Sequence, residues 1–473
     1  MPSAHAGHTA HTNHTTHTNH TAHPHHTAGT PPGAWPLAGH AAALARAPLD
    51  VLASLPEYGD LVELRIMGRR LYFPCHPDLV WQVLTDDRTF DRTGPVWTTT
   101  RRLLGNGLAL RCRQDHRGSR RAVQPSFHPT LLRHQATLVQ EEIAATTAGW
   151  RDHQHVDLYS ALVGTAVRTI TRALFSSRVP REAVEDLQRH ALAAIDTRLW
   201  RLAAPGPLHG LGLSRLRRFT DKISDLRRTG DATADDGIVA RLEQAMPAAS
   251  DRDIAEEVVS LYLGATDTSA LAVCWALHLL TRHPAEAHRL HRELDGTLRG
   301  RGARYGDLPG LPRTGQVIAE ALRLYPPAWF VLRCTTRPVE LAGKHLPTGS
   351  TVVVCPAAVH RNPALYEDPA AFVPDRWLPD RAAPRRGAYV PFGAGARKCV
   401  AEHFGTAQAV LTLATLVHLW DPRATARTDG RPAHFAAMLK PRRFVLEVHA
   451  RPREHRSGVA HGQVTEPAEP RRS

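Results

Sequence analysis

Cysteine is sparse in this chain: six residues among 473, at positions 75, 112, 274, 334, 355 and 399, with no Cys-x-x-Cys spacing between them. That excludes a disulfide-stapled scaffold and an iron–sulfur cluster, and it suits a reducing cytoplasm. No basic region followed by an apolar core opens the sequence and no anchor-like run precedes Gly33, so neither a signal peptide nor a membrane anchor is expected. A flavin or nicotinamide glycine fingerprint and a long internal repeat are missing as well. Acidic residues are in deficit, 45 against 59 basic ones, for a net charge of +14 carried mostly by arginine. No basic face interleaved with aromatics and no nucleic-acid motif accompanies that charge, so nucleic acid is not the expected partner.

What is present is one long domain, expected over residues 31–450, between two low-complexity ends. Hydrophobic residues make up 42% of the chain, enough for a sizeable core. Residues 1–30 repeat His at every third position from His5 to His23, followed by His25 and His26, with Thr, Ala and Asn between. Lacking apolar anchors, they are expected to be a loose tail, metal capture by the imidazoles being the other reading. Residues 451–473, rich in Arg, Pro and Glu, are expected to form a second one. Alternation in Leu61–Ile66 and Arg70–Phe73 predicts two paired strands, and Thr351–Cys355 and Arg443–Val448 predict two more. Helical patterns dominate from Leu131 to Leu298. The expected class is mainly α with a small β-rich side.

Chemistry concentrates around Cys399. A glycine-rich loop, Phe392 to Lys398, delivers this thiol to an apolar, helix-patterned run from Val400 to Trp420. A helix N-terminus favours a thiolate, and Arg397 stands two residues away as a cation. A second segment, Gly264-Ala265-Thr266-Asp267-Thr268-Ser269, lies inside an apolar stretch from Val258 to Leu280, opened by a possible capping box at Ser250 and Asp253 and closed before Pro284. The central Asp267 and the charged flanks make it a buried helix rather than a membrane span. A buried acid next to a hydroxyl costs free energy unless bonded or useful.

Phe392, Gly395, Arg397 and Cys399 complete the pattern Phe-x-x-Gly-x-Arg-x-Cys, and the chain resembles the haem-thiolate monooxygenases of the cytochrome P-450 superfamily. The resemblance implies the family's triangular helical prism around haem b, with Cys399 as axial ligand of the iron, Arg397 on a haem propionate and Phe392 shielding the sulfur. Ala401 departs from the family's usual Gly. Glu320 and Arg323 resemble the Glu-x-x-Arg pair, otherwise a surface i,i+3 ion pair, and Arg376 the arginine of the meander that completes a structural triad. His116, Arg120 and Arg333 match further haem-anchoring positions. Asp267 and Thr268 match the acid–alcohol pair of the oxygen-side helix, with small residues at Gly264 and Ala265 leaving room for dioxygen and a local distortion. The pair is expected to relay protons to the oxygen being activated. The competing reading has Thr268 bonding back to the carbonyl four residues earlier.

The resemblance also places Trp97, Leu108, Leu263, Gly264, Trp329, Val331, Leu332 and Ala437 around the substrate. Their apolar character favours a hydrophobic small molecule. Glu320 to Trp329, Asp375 to Pro379 and Glu402-His403-Phe404 are similar to bacterial terpene oxidases of the family, so a sesquiterpene-like terpenoid is the expected substrate. Electrons must come from outside, from a ferredoxin and its reductase, the ferredoxin meeting basic residues such as Lys398, Arg385 and Arg386. A monomer is the default. Two other readings stay open: a peroxide-driven or non-oxygenating haem-thiolate enzyme, and a non-catalytic haem-binding sensor.

Overall fold

The computed structural model describes residues 26–33, 39–175, 182, 183, 185, 186, 189, 218–225, 237–432 and 438–451. Its helices are α1 (Ala41–Arg46), α2 (Pro48–Ser54), α3 (Pro77–Thr85), α4 (Pro95–Leu104), α5 (Arg113–Val123), α6 (Leu132–Thr147), α7 (Leu158–Phe175), α8 (Ile238–Ala245), α9 (Asp251–Arg282), α10 (Pro284–Leu298), α11 (Pro312–Leu324), α12 (Pro356–Val359) and α13 (Glu402–Leu419). Proline opens several of them, including α3, α4, α10 and α11, where its fixed φ suits the first turn and its missing N–H costs nothing.

The longest helix, α9, forms as its sequence predicts. Ser250 Oγ accepts the Asp253 N–H at 3.2 Å and Asp253 answers by accepting the Ser250 N–H at 3.0 Å, a capping box. Thirty-two residues give a rod of about 48 Å. It is long and apolar enough to cross a membrane, yet 67% of its most apolar window is buried inside the protein. Trp275 anchors the buried part, stacked on Tyr325 at 4.1 Å with its Nε1 donating to Leu439 O at 2.7 Å. Helices α6, α7, α9, α11 and α13 share one hydrophobic core with it.

The strands are β1 (Ala28–Gly29), β2 (Leu61–Ile66), β3 (Arg69–Pro74), β4 (Phe90–Asp91), β5 (Gln154–Asp157), β6 (Val331–Thr335), β7 (Val339–Leu341), β8 (Lys344–Leu346), β9 (Thr351–Val354), β10 (Trp420–Pro432) and β11 (Pro441–Ala450). Six of them form a mixed sheet in the order β1-β2-β3-β9-β6-β4; β10-β11-β5 form a second sheet and β7-β8 a ribbon. All four expected strands are present. The tail boundary expected at residue 30 lies earlier, because β1 pairs in parallel with β2, Ala28 opposite Leu61 and Gly29 opposite Val62. Residues 1–25 and 452–473 lie outside the described residues.

Candidate active site

The Cys399 loop is closed by its own backbone: the Cys399 N–H donates to Phe392 O at 2.9 Å. Gly395 has φ 67°, and a Cβ there would lie 2.7 Å from Leu84 O and 2.9 Å from Thr85 Cα, so only glycine lets the loop seat against the end of α3. The sulfur is thereby held three residues ahead of α13. Burial pushes the Cys399 thiol above its ordinary pKa; the Ala401 N–H, Arg120 and Lys398 pull it back, while Glu402 pushes it up.

Arg397 takes no part in that balance. Its guanidinium turns to Asp91, on β4, and donates to Arg111 O at 2.8 Å. The expectation that Arg397 supplies the cation beside the sulfur is therefore corrected: Arg120, which donates to Lys398 O, and Lys398 itself do so.

Cys399 and Phe392 line a deep cavity together with Gly264, Ala265 and Thr268 of α9 and with Leu108 and Val331. Arg92, His116, Arg120, Arg333 and Arg397 line it too, a concentration of positive charge with Asp91 and Asp87 as nearby acids. Burial, Arg397, Arg92 and Arg120 hold the His116 pKa down to about 3, so the ring is neutral. Burial and Arg397 pull Arg333 down to about 10, and burial, Arg333 and Arg397 push Arg92 well below its ordinary value. His116 Nδ1, Arg92 Nε and Arg397 Nε are buried without a hydrogen-bond partner. Orphaned donors and crowded cations call for an anion. A flat, apolar ring bearing two carboxylates, with a metal for the thiol, fits this donor set.

A Cβ at Gly264 would meet nothing within 4 Å, so glycine leaves the cavity wall open there. One turn on, Thr268 Oγ1 donates to Gly264 O at 2.6 Å, which is the back-bonded arrangement. The expected local distortion is absent: α9 is α-helical throughout. Asp267, 7% exposed, does not line the cavity; it accepts from the Tyr159 hydroxyl of α7. Burial raises its pKa, and Tyr159 and the charge of Lys440 work against that rise.

Two further acids on α9 shape the site. Glu257, fully buried, accepts from Leu108 N at 2.8 Å, Arg111 Nε at 2.9 Å and Ser119 Oγ; Glu256 accepts from Asn106 N at 2.7 Å. They hang the loop carrying Leu108 from the helix.

The Cytochrome P450 family profile matches residues 30–448. The chain belongs to the cytochrome P450 family. It is 42% identical over 419 residues to cyclooctatin synthase of Streptomyces melanosporofaciens, covering 85% of this chain and 91% of that one. It is 38% identical over 438 residues to pentalenene oxygenase of Streptomyces avermitilis, covering 90% and 98%. Cyclooctat-9-en-7-ol 5-monooxygenase of Streptomyces melanosporofaciens is 37% identical over 417 residues, covering 85% and 90%. The crystal structure of the cytochrome P450DA heme domain superposes with a TM-score of 0.80 over 90% of this chain and 99% of that one, at 22% identity, which speaks for the fold. This P450 is thus a haem-dependent monooxygenase of mainly helical fold.

Several pocket assignments need correction within this P450. Along β6, Val331 and Arg333 face the cavity, so Leu332 between them turns to the other face and packs with Trp329 and Phe330 against the β2–β3 core. Leu263, one residue from Gly264 on α9, packs into the helical core. Trp97 lies under the Arg92 guanidinium, 5.4 Å from ring to cation, and lines no part of the cavity. Ala437 falls outside the described residues. Sequence reasoning missed Arg92; a lone arginine after β4 offered no signal beyond its neighbour Asp91.

Glu320, Arg323 and Arg376 meet in one group, and it is larger than a triad. Arg323 and Glu320 are both wholly buried and bidentate, 2.8 and 2.9 Å apart, and Arg376 Nε lies 3.4 Å from Glu320. Arg323 also donates to the carbonyls of His360, Pro369 and Ala371. Glu320 further accepts from Val373 N at 3.0 Å and Trp377 Nε1 at 2.9 Å. Trp377 is thus a fourth member.

Proposed function

We propose that this P450 oxidises a terpenoid of sesquiterpene-like, apolar character in secondary metabolism, with Cys399 as the ligand of the haem iron. The observation that carries the assignment is the cavity in which a thiol open to the cavity, an open apolar helix face and orphaned cationic donors converge. The haem supplies the activation of dioxygen when bound. His116, Arg92, Arg120, Arg333 and Arg397 would hold its carboxylates, the neutral His116 ring donating an N–H rather than a charge. Phe392 covers the sulfur side.

The mostly apolar walls orient the substrate by shape and exclude bulk water. On α9 the Thr268 hydroxyl spends its proton on Gly264 O, so its lone pairs are presented to the cavity as an acceptor. Asp267, next in the chain and buried behind it, holds a proton more readily than an ordinary carboxyl; Tyr159 and Lys440 connect it outward. We read this order, Lys440 and Tyr159 to Asp267 to Thr268, as the route by which a proton enters, the Thr268 hydroxyl turning from Gly264 O to pass it on.

Electrons come from an external redox partner, which we assign as an acidic ferredoxin served by its reductase, the P450 acting in the cytoplasm as a monomer. On the outer side of the Cys399 loop, Trp81, Ile318, Gly393, Lys398 and Glu402 line a second hollow. Lys398 pairs with Glu402 at 2.5 Å, and Arg386 lies over Trp81 at 5.8 Å. Reduction there should slow as salt rises. The deciding experiment reduces the purified protein under carbon monoxide, looks for the long-wavelength Soret band of thiolate ligation, and then screens terpene hydrocarbons for a spin-state change and oxygenated products. Folded protein without that band overturns the Cys399 assignment; the band without terpenoid turnover overturns the substrate assignment alone.

A further inference from the structure

At one end of the β2–β3 hairpin, where Leu61 pairs with Pro74, three segments meet. Asp60 immediately precedes β2 and His76 closely follows β3; the N–H groups of Cys75 and His76 both donate to Asp60 O, at 2.7 and 3.2 Å. Thr27, leading into β1, donates its N–H and its hydroxyl to Asp60 Oδ2 at 2.9 and 3.3 Å. The neighbour of Thr27 is His26, whose Nδ1 lies 3.6 Å from Asp60 Oδ2 and whose ring centroid lies 4.5 Å from that of His76. One ligand atom from each of His26, Asp60 and His76 falls within 4.8 Å of the other two, and all three residues are half-buried.

We propose that His26, Asp60 and His76 bind a divalent cation of the zinc type, which clamps β1 onto the β2–β3 hairpin. Two imidazoles and a carboxylate are a ligand set zinc takes, at about 2.0–2.2 Å per bond, with a fourth position left open. The three backbone segments are already tied through Asp60, which keeps the ligand atoms near one another. Strand β1 forms just two residue pairs, and a metal bond would add to the hydrogen bonds that already join Thr27 to Asp60. His76 Nδ1 also caps α3 by accepting the Asp78 N–H at 3.2 Å, a contact that a metal bond can displace. The sequence ahead of the site repeats histidine up to His25, so capture by that stretch has to be separated from binding at the site.

Hydrogen–deuterium exchange of the full-length, haem-loaded protein, with and without zinc ion alone, separates them. In the native protein zinc should slow exchange of the Thr27, Ala28 and Gly29 amides at least tenfold, and that slowing should vanish in Asp60→Asn and in His76→Asn. Asparagine at 76 keeps an acceptor for the α3 cap, and an unchanged carbon monoxide band reports that each variant is folded. No slowing in the native protein, or slowing that survives in both variants, overturns the site.

Discussion

The hydroxyl of Tyr159, on α7, donates to the carboxylate of Asp267, on α9, and ties the acid to the neighbouring helix instead of to the cavity. Opposed effects compete at this carboxyl: burial favours the protonated form, and the Tyr159 hydrogen bond and the Lys440 charge favour the anion. Burial wins. The acid therefore keeps its proton above its ordinary value of 3.8, and the tyrosine limits how far above.

Tyr159→Phe removes the donor and leaves the burial. The Asp267 pKa then rises further. An acid whose pKa is higher folded than unfolded binds more proton in the folded state between the two values, so stability falls as pH climbs through that window and levels off above it. The variant should extend the falling region to higher pH and lose about 1–3 kcal/mol overall. Urea midpoints of both proteins across the acid-to-neutral range measure this; coincident pH profiles would show that Tyr159 does not set the acid.

The cationic cluster predicts how tightly haem is kept. Arg92→Ala and Arg333→Ala each remove a charged donor from a site where His116 Nδ1 and Arg397 Nε already lack partners. Charge-assisted hydrogen bonds are worth about 1.5–3 kcal/mol, so each variant should release haem to apomyoglobin roughly ten- to a hundredfold faster, with the Soret position unchanged. A shift of the carbon monoxide band would instead mean that the Cys399 loop had moved.

The Glu320–Arg323 pair should behave as framework. Both side chains are wholly buried and together hold carbonyls and N–H groups from His360 to Trp377. Glu320→Ala leaves Arg323 charged in the interior, at a cost of about 3–5 kcal/mol, and the protein should be recovered without haem. Trp377→Phe deletes one donor to Glu320 and should cost about 1 kcal/mol with haem retained. Thermal midpoints and the haem content of the purified variants distinguish the two.

The Cys399 loop, the capped helix α9 and the Glu320–Arg323 pair were legible because each depends on local spacing: a fixed number of residues fixes the turn, the helix face or the cap. Pocket walls were not. Assigning Val331 and Leu332 to the same surface ignored the two-residue period of a strand, and only the pairing of β6 with β9 and β4 tells which face meets the cavity. Arg92 was missed and Trp97 misplaced for a related reason, since their roles follow from how the segment after β4 folds over Ala109 and Arg101. The strand at Ala28–Gly29 was hidden by low complexity, its partner being β2, far along the chain.

Thr268 is the residue on which the proposed proton route turns. Its hydroxyl is bonded to Gly264 O, so in one view it only shapes the helix, and in the other its free lone pairs serve the cavity. Thr268→Ala removes both roles; Thr268→Ser keeps the hydroxyl and loses only the methyl group. If the hydroxyl carries the proton route, product formed per electron consumed should fall roughly ten- to a hundredfold in the alanine variant, peroxide rising to match, and recover in the serine variant, while the haem spectrum and the thermal midpoint stay close to native. If the role is helix shape alone, the alanine variant should keep its product yield per electron. Measuring oxygenated product, reduced cofactor consumed and peroxide released in the same reaction, for all three proteins, tells these apart, because the partition of electrons responds to proton delivery and is blind to how much active enzyme is present.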